Sequence, residues 1–147
     1  MTLSAEQGYG EAAAQVVAER ADAMFGKRRH VLDTADIEGV HGMRVATRRL
    51  RAALEVFGPC LDRQRGAQAL SDVKTLAAAL GERRDRDVQL ERLERLHERT
   101  EGAERRAVEL LTQELRSEQA RANRRLAKAL ARTERDRLRK RLRRLAR

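Results

Sequence analysis

Residues 41–51 carry a row of basic side chains that one face of a helix can present to an anion. With about 100° per residue in a helix, four of them fall within a sector roughly 80° wide: His41, Arg44, Arg48 and Arg51. A guanidinium group keeps its charge and offers a planar fork of donors that matches phosphate oxygens. Solvated helix faces usually mix the two signs, but no acid lies between Glu38 and Glu55. The segment therefore favours an anion partner over a merely solvated face.

Three other segments repeat this basic spacing. Lys74 precedes small residues at 77, 78 and 81, which would let a phosphate chain or a neighbouring helix approach closely. The remaining stripes are Arg20 with Lys27, and Arg121, Arg125, Lys128 and Arg132. One stripe can simply face solvent, but four helices that each offer one are what a shared basic channel needs.

The two runs VHGMRVATRRLRAAL (40–54) and LAAALGERRDRDV (76–88) closely resemble the signature segments of the CHAD family, the conserved histidine α-helical domain. The resemblance is specific over residues 36–96 and looser from about residue 5 to residue 130. It implies a helical domain that binds inorganic polyphosphate between two similar four-helix halves. This chain resembles one such half followed by a basic tail.

Together, the stripes and the resemblance predict the polyphosphate-binding residues. Two roles stay open for His41, which heads the family's motif: a structural hydrogen bond, or a phosphate contact that protonation would strengthen. Asp85 and Asp87 resemble the family's acidic pair after Arg84, and we expect them to cap a helix and to orient arginines. The predicted binding residues are His41, Arg44, Arg48, Arg49, Arg51, Lys74, Arg84, Arg121, Arg125, Lys128, Arg20 and Lys27.

Composition and periodicity predict an all-α protein, an antiparallel bundle of four to five helices. The chain has 147 residues, one proline and only 2% aromatic residues, so its core must consist of Leu, Ala and Val. A Ser4–Gln7 capping box opens a first helix at about residues 5–30, and Asp36 caps a second that ends at Gly58–Pro59. A third helix spans about 62–81, a fourth follows a cap at Asp85 or Asp87, and a long helix runs from about residue 103 onward.

The net charge of +10 is concentrated at the C-terminus. Residues 132–147 hold nine Lys or Arg residues and two acids, a net charge of +7 that leaves +3 for residues 1–131. We therefore divide the chain into a CHAD-like helical domain, 1–131, and a basic helical extension or tail, 132–147. The single Cys60 and the lack of a long apolar stretch predict a cytoplasmic protein, with polyphosphate granules as a candidate location.

The residues favour binding over catalysis. The chain has no P-loop, no nucleophile beside a base and no paired carboxylates at an apolar cleft, so we expect no enzymatic activity and no cofactor. His30 and His97 lack partners at metal-site spacing, so we expect no metal site. Two alternatives stay open: a nucleic-acid-binding helical protein, suggested by the basic tail, and a structural bundle without a ligand.

A half-site would leave one wall of a basic groove open to water, where phosphate contacts are screened. We therefore expect a homodimer, the commonest closed oligomer, in which the long final helix reaches across to the second copy. The residues expected to make that contact are the leucines at 126, 130, 138, 142 and 145.

Overall fold

The computed structural model describes residues 8–145, and this part of the chain is a helical bundle without any strand. Its helices are α1 (Tyr9–Gly26), α2 (Ile37–Phe57), α3 (Arg63–Arg99), α4 (Gly102–Arg135) and α5 (Leu138–Leu142), and a short 3-10 turn (Gly58–Cys60) follows α2. Short connections make α1 to α4 antiparallel neighbours. Helix α3 packs on α2 and α4, α1 packs on α2, and α5 closes against α1, α3 and α4. The predicted all-α bundle is confirmed.

Capping residues mark the start of two helices. The Asp36 carboxylate accepts a hydrogen bond from the Gly39 amide at 3.2 Å, as the sequence predicts for the start of α2. Asp62 does the same for α3 by accepting from the Arg65 amide at 2.9 Å. Helix α2 ends at Phe57, directly before Gly58 and Pro59, so its predicted end is confirmed.

Helix α1 is shorter than predicted. It ends at Gly26, and residues 27–36 form turns instead of extending the helix to residue 30. His30 has a φ of 67°, in the left-handed region that a right-handed helix cannot contain. The predicted Ser4–Gln7 capping box lies outside the described residues.

The prediction of two helices between residues 62 and 99 is wrong, because α3 is continuous through Gly81. Asp85 and Asp87 are therefore interior helical residues and not caps. The core stripe of α3 runs through Val73, Leu76 and Leu80, but Arg83 and Asp87 occupy its next two positions and are fully buried. This polar pair breaks the apolar periodicity without breaking the helix.

The predicted long final helix turns back on itself. Helix α4 ends at Arg135, and Arg137 adopts a φ of 52° before the short α5 begins. The turn carries the last leucines into the core of the same molecule, where Leu138, Leu142 and Leu145 have no exposed surface. The described part of the basic extension is thus packed on the bundle, and the division at residue 131 stays a prediction.

Candidate functional site

A basic groove lies between α2 and α3. One wall carries guanidinium groups spaced at i, i+4 and i+7 on α2, and the other carries one ammonium group and three small residues on α3. The groove has a volume of about 360 Å³ and is lined by Arg44, Arg48, Arg51, Lys74, Ala77, Ala78 and Gly81. The structure therefore brings together the α2 stripe and the small patch beside Lys74 that the sequence singled out.

The opposite face of α2 holds the arginine stripe in place. Met43, Leu50 and Leu54 are buried on that face, and the Thr47 hydroxyl donates to the Met43 carbonyl at 2.8 Å. Because the apolar face is fixed in the core, the stripe must point away from it. The rigid helix places the Cα positions of Arg44 and Arg51 about 10 Å apart along its axis.

The groove cations differ in whether they have an acidic partner. Arg44 and Arg48 are exposed, and no carboxylate of the described residues pairs with either of them. Arg51 donates from Nε to Glu55 Oε1 at 2.9 Å, and Lys74 Nζ lies 3.8 Å from the same oxygen. The hydrogen bond from Arg51 holds the pKa of Glu55 below its ordinary value against an opposing desolvation. Two guanidinium groups are thus left for an external anion.

The basic stripe of α4 lies beside the groove and not in it. Arg125 donates from Nε to Glu82 Oε2 at 2.8 Å, and Glu82 directly follows Gly81 of the groove wall. Arg121 and Lys128 are exposed one turn to either side of Arg125.

Helix α1 does not contribute to the groove. Within the described residues α1 contacts α2 and α5 but neither α3 nor α4, and neither Arg20 nor Lys27 lines the groove. Lys27 reaches the α1–α2 boundary, where its Cδ would lie 3.9 Å from a Cβ at Gly42. Arg49 is exposed, but it lies about 100° from Arg48 around the axis of α2 and does not line the groove.

His41 and Arg84 lie near the groove without lining it. The His41 ring is exposed on the turn before Arg44, and it makes no hydrogen bond with any described residue. Arg84 is partly exposed on α3, one turn beyond Gly81, and its Nη1 atom is buried without a hydrogen-bond partner in the described structure. Both side chains extend the basic surface at the end of the groove nearest Arg44.

A buried polar network that the sequence analysis did not find fixes α3 in position. Arg83 donates from Nε to Asp87 Oδ1 at 2.9 Å and from Nη1 to Asn123 Oδ1 at 2.6 Å. Its Nη1 and Nη2 also reach the carbonyls of Val31 and Asp33, and Gln119 donates to Asp87 Oδ1 at 2.7 Å. The network joins α3, α4 and the α1–α2 connection. Its signal in the sequence was the i, i+4 spacing of the oppositely charged Arg83 and Asp87. Asp87 therefore orients an arginine, as expected, but it does so in the core.

The acidic and histidine residues of the described chain form no group of three or more that could hold a metal ion. His97 Nε2 lies 3.1 Å from Glu109 Oε1 near the turn between α3 and α4, far along both helices from the groove. No described helix is both long and apolar enough to cross a membrane.

The chain matches a known protein family. The family model described as the CHAD domain matches residues 15–147, nearly the whole chain, and the match includes both walls of the groove. No curated protein and no solved structure matches the chain.

Proposed function

The chain belongs to the CHAD domain family, and on that premise we propose that it binds inorganic polyphosphate in the groove between α2 and α3. The observation that carries this proposal is the presence of two exposed guanidinium groups, Arg44 and Arg48, without acidic partners. Adjacent like charges repel each other, and a bound polyanion would relieve that repulsion. The small residues opposite leave room for a phosphate chain.

A binding role fits this groove better than a catalytic one. Its lining consists of arginine, lysine, alanine and glycine, and its one amine, Lys74, is exposed beside Glu55 and not desolvated as an activated lysine nucleophile would be. Arginine and lysine can stabilise a phosphoryl group, but hydrolysis or transfer also needs an activated attacking group. We therefore propose a cytoplasmic polyphosphate-binding module that is not an enzyme and that can associate with polyphosphate granules.

Nucleic acid is the second candidate, and two observations count against it. None of the aromatic residues lines the groove, so it offers no platform on which the bases of a single strand could stack. Three arginines of the basic C-terminal segment pair with acids outside that segment: Arg139 and Arg143 with Asp22, and Arg141 with Asp72. The charge that suggested nucleic acid is thus partly neutralised.

A competition measurement tests the proposed ligand. Labelled long-chain polyphosphate is bound to the protein and challenged with unlabelled polyphosphate or with an equal charge of duplex DNA. We expect polyphosphate to displace the label and DNA to fail at the same charge concentration. Stronger displacement by DNA would favour nucleic acid, and the absence of binding to either polymer would favour a structural bundle.

We also propose a homodimer, but its contact must differ from the one that the sequence suggested. Leu126, Leu130, Leu138, Leu142 and Leu145 are buried in their own molecule, so they cannot reach a second copy. Exposed leucines instead lie at the far end of the α3–α4 hairpin: Leu96, Leu110 and Leu111. Residues 91–116 of this hairpin end carry seven acids and six arginines, a net charge of −1 in a chain of +10. Two copies could meet there without strong repulsion.

Light scattering after size exclusion tests the dimer, with and without polyphosphate. We expect a mass of twice the 16.7 kDa chain, and the variant Leu111→Glu should reduce it to one chain. Leu32→Glu, at an exposed leucine of the α1–α2 connection, is the control and should leave the dimer intact. A stable 16.7 kDa wild-type species that binds polyphosphate tightly would contradict the dimer.

A further inference from the structure

Glu55 places a carboxylate at one end of the basic groove. Its Oε1 atom lies between the two walls, 2.9 Å from Arg51 Nε on α2 and 3.8 Å from Lys74 Nζ on α3. Carboxylate and phosphate oxygens are recognised by the same guanidinium and ammonium donors. Glu55 therefore sits where a phosphate of a bound chain would contact both cations.

We propose that Glu55 occupies one anion subsite of the groove, and that a polyphosphate must displace this carboxylate to reach Arg51 and Lys74. The inference rests on the proposed function, because it divides the polyphosphate groove into an open end and an occupied end. Arg44 and Arg48 form the open end, while Arg51 and Lys74 form the end that Glu55 occupies. Glu55 then acts as a selectivity residue that favours long chains over short ones.

The contacts of Glu55 allow such an exchange. The side chains of Arg51, Glu55 and Lys74 are 46%, 43% and 47% exposed, so water can reach all three. Exposed ion pairs contribute little net stability, and the displaced carboxylate would be hydrated without crossing a barrier of packed side chains. The hydrogen bond from Arg51, and then the charges of Arg51 and Lys74, lower the pKa of Glu55, so the group that a phosphate would replace is a carboxylate anion.

Chain length enters through the geometry of α2. Along the helix axis, the Cα positions of Arg44 and Arg48 are about 6 Å apart, whereas those of Arg44 and Arg51 are about 10 Å apart. A short phosphate oligomer can contact the open end and leave the Glu55 pairs intact. A long chain has further phosphates attached to the bound ones, and their high local concentration favours exchange with the carboxylate.

The test compares Glu55→Gln with wild type by calorimetry, using tripolyphosphate and long-chain polyphosphate. We expect about threefold to fivefold tighter binding of the long chain and a smaller change for tripolyphosphate. Glu82→Gln is the matched control, because it makes the same charge change but frees Arg125 on the flank of α3 outside the groove. The selectivity for long chains should rise in Glu55→Gln beyond its value in Glu82→Gln.

A double-mutant cycle separates displacement from a general charge effect. In a Lys74→Gln background, the gain from Glu55→Gln should shrink because the occupied end has lost one of its cations. Equal gains in Glu55→Gln and Glu82→Gln, or a loss of affinity in Glu55→Gln, would overturn the inference. If wild type binds neither polymer, the proposed function fails as well. If wild type binds polyphosphate and Glu55→Gln does not change the affinity, the proposed polyphosphate groove is retained and the displacement of Glu55 is rejected.

Discussion

The α2–α3 groove and the C-terminal segment are both rich in arginine, but the two regions use it differently. In the groove Arg44 and Arg48 have no acidic partner among the described residues. In the C-terminal segment Arg139 and Arg143 contact Asp22 at 2.9 and 2.7 Å, and Arg141 pairs with Asp72. A high local charge therefore does not by itself identify a ligand site, because acids of the same chain can neutralise part of it.

The apolar residues of the two regions sharpen this contrast. Leucines of the C-terminal segment are fully buried and attach it to the core, so its arginines act as peripheral contacts around an apolar anchor. The groove has no large apolar side chain in its lining. From this comparison we expect groove substitutions to change ligand binding and C-terminal substitutions to change stability.

The largest expected effect is on the groove. Reversing two charges with Arg44→Glu and Arg48→Glu should weaken long-chain polyphosphate binding by roughly a hundredfold or more, because each lost charged hydrogen bond contributes about 1.5–3 kcal/mol. Helical content by circular dichroism should stay nearly unchanged, since both side chains are exposed. Arg63→Glu with Arg65→Glu at the exposed start of α3 is the control of equal charge change. Binding that survives the groove reversal would place the site elsewhere.

The next effect concerns the C-terminal anchor. Leu142→Ala removes a fully buried side chain and should lower the free energy of unfolding by about 2–5 kcal/mol. Urea denaturation measures this loss, and Leu32→Ala at an exposed position should change little. The folded fraction of Leu142→Ala should bind polyphosphate with wild-type affinity. A stable variant that lost its affinity would mean that the C-terminal segment belongs to the site.

The salt dependence of polyphosphate affinity distinguishes the groove arginines from the C-terminal arginines, because it depends on the number of contacts with phosphate groups. Log affinity should fall linearly with log salt concentration, and Arg48→Gln should reduce the slope by roughly one. Arg143→Gln, which removes a guanidinium already paired with Asp22, should leave the slope as it is in wild type. A flat wild-type response would exclude a multidentate polyanion site, and equal slopes for both variants would remove the contrast between the regions.

The smallest effect is the pH dependence of the Asp22 contacts. The hydrogen bond from Arg143, followed by that from Arg139, lowers the pKa of Asp22 below its ordinary 3.8 against an opposing desolvation. A lowered folded-state pKa stabilises the fold above the unfolded-state value, and that contribution is lost as pH falls through the folded-state pKa. Because the side chain is partly exposed, Asp22→Asn should lower stability near pH 7 by only about 1 kcal/mol. Unfolding curves of the two proteins should converge below pH 3.8, and a constant difference at low pH would contradict the ionic contribution.

Sequence periodicity was sufficient for the local features of the fold and of the site. The α2 stripe and its buried opposite face lie within one helix, where 3.6 residues per turn fixes which side chains share a face. The Asp36 cap and the end of α2 before Gly58 and Pro59 also depend only on neighbouring residues. These predictions are confirmed because no contact between distant segments was needed to make them.

The continuity of α3 was not predictable from the same periodicity. Arg83 and Asp87 occupy core positions where an apolar stripe would have continued, and their partners Gln119 and Asn123 lie on another helix. A charged side chain can be buried only when such partners satisfy it. The end of the apolar stripe therefore looked like the end of a helix. The partners that allow Arg83 and Asp87 to be buried become adjacent to them only after α3 and α4 have packed.

The sequence by itself determined that the chain is helical, that one face of α2 is basic, and that the CHAD signature segments are present. Only the tertiary structure decided which charges are neutralised inside the molecule. Asp22 and Arg143 are 121 positions apart, and Glu55 meets Lys74 across two helices, so neither pair follows from helical spacing. The physical reason is that spacing within a helix is set by the backbone, whereas pairing between helices depends on their register and on the turns that join them.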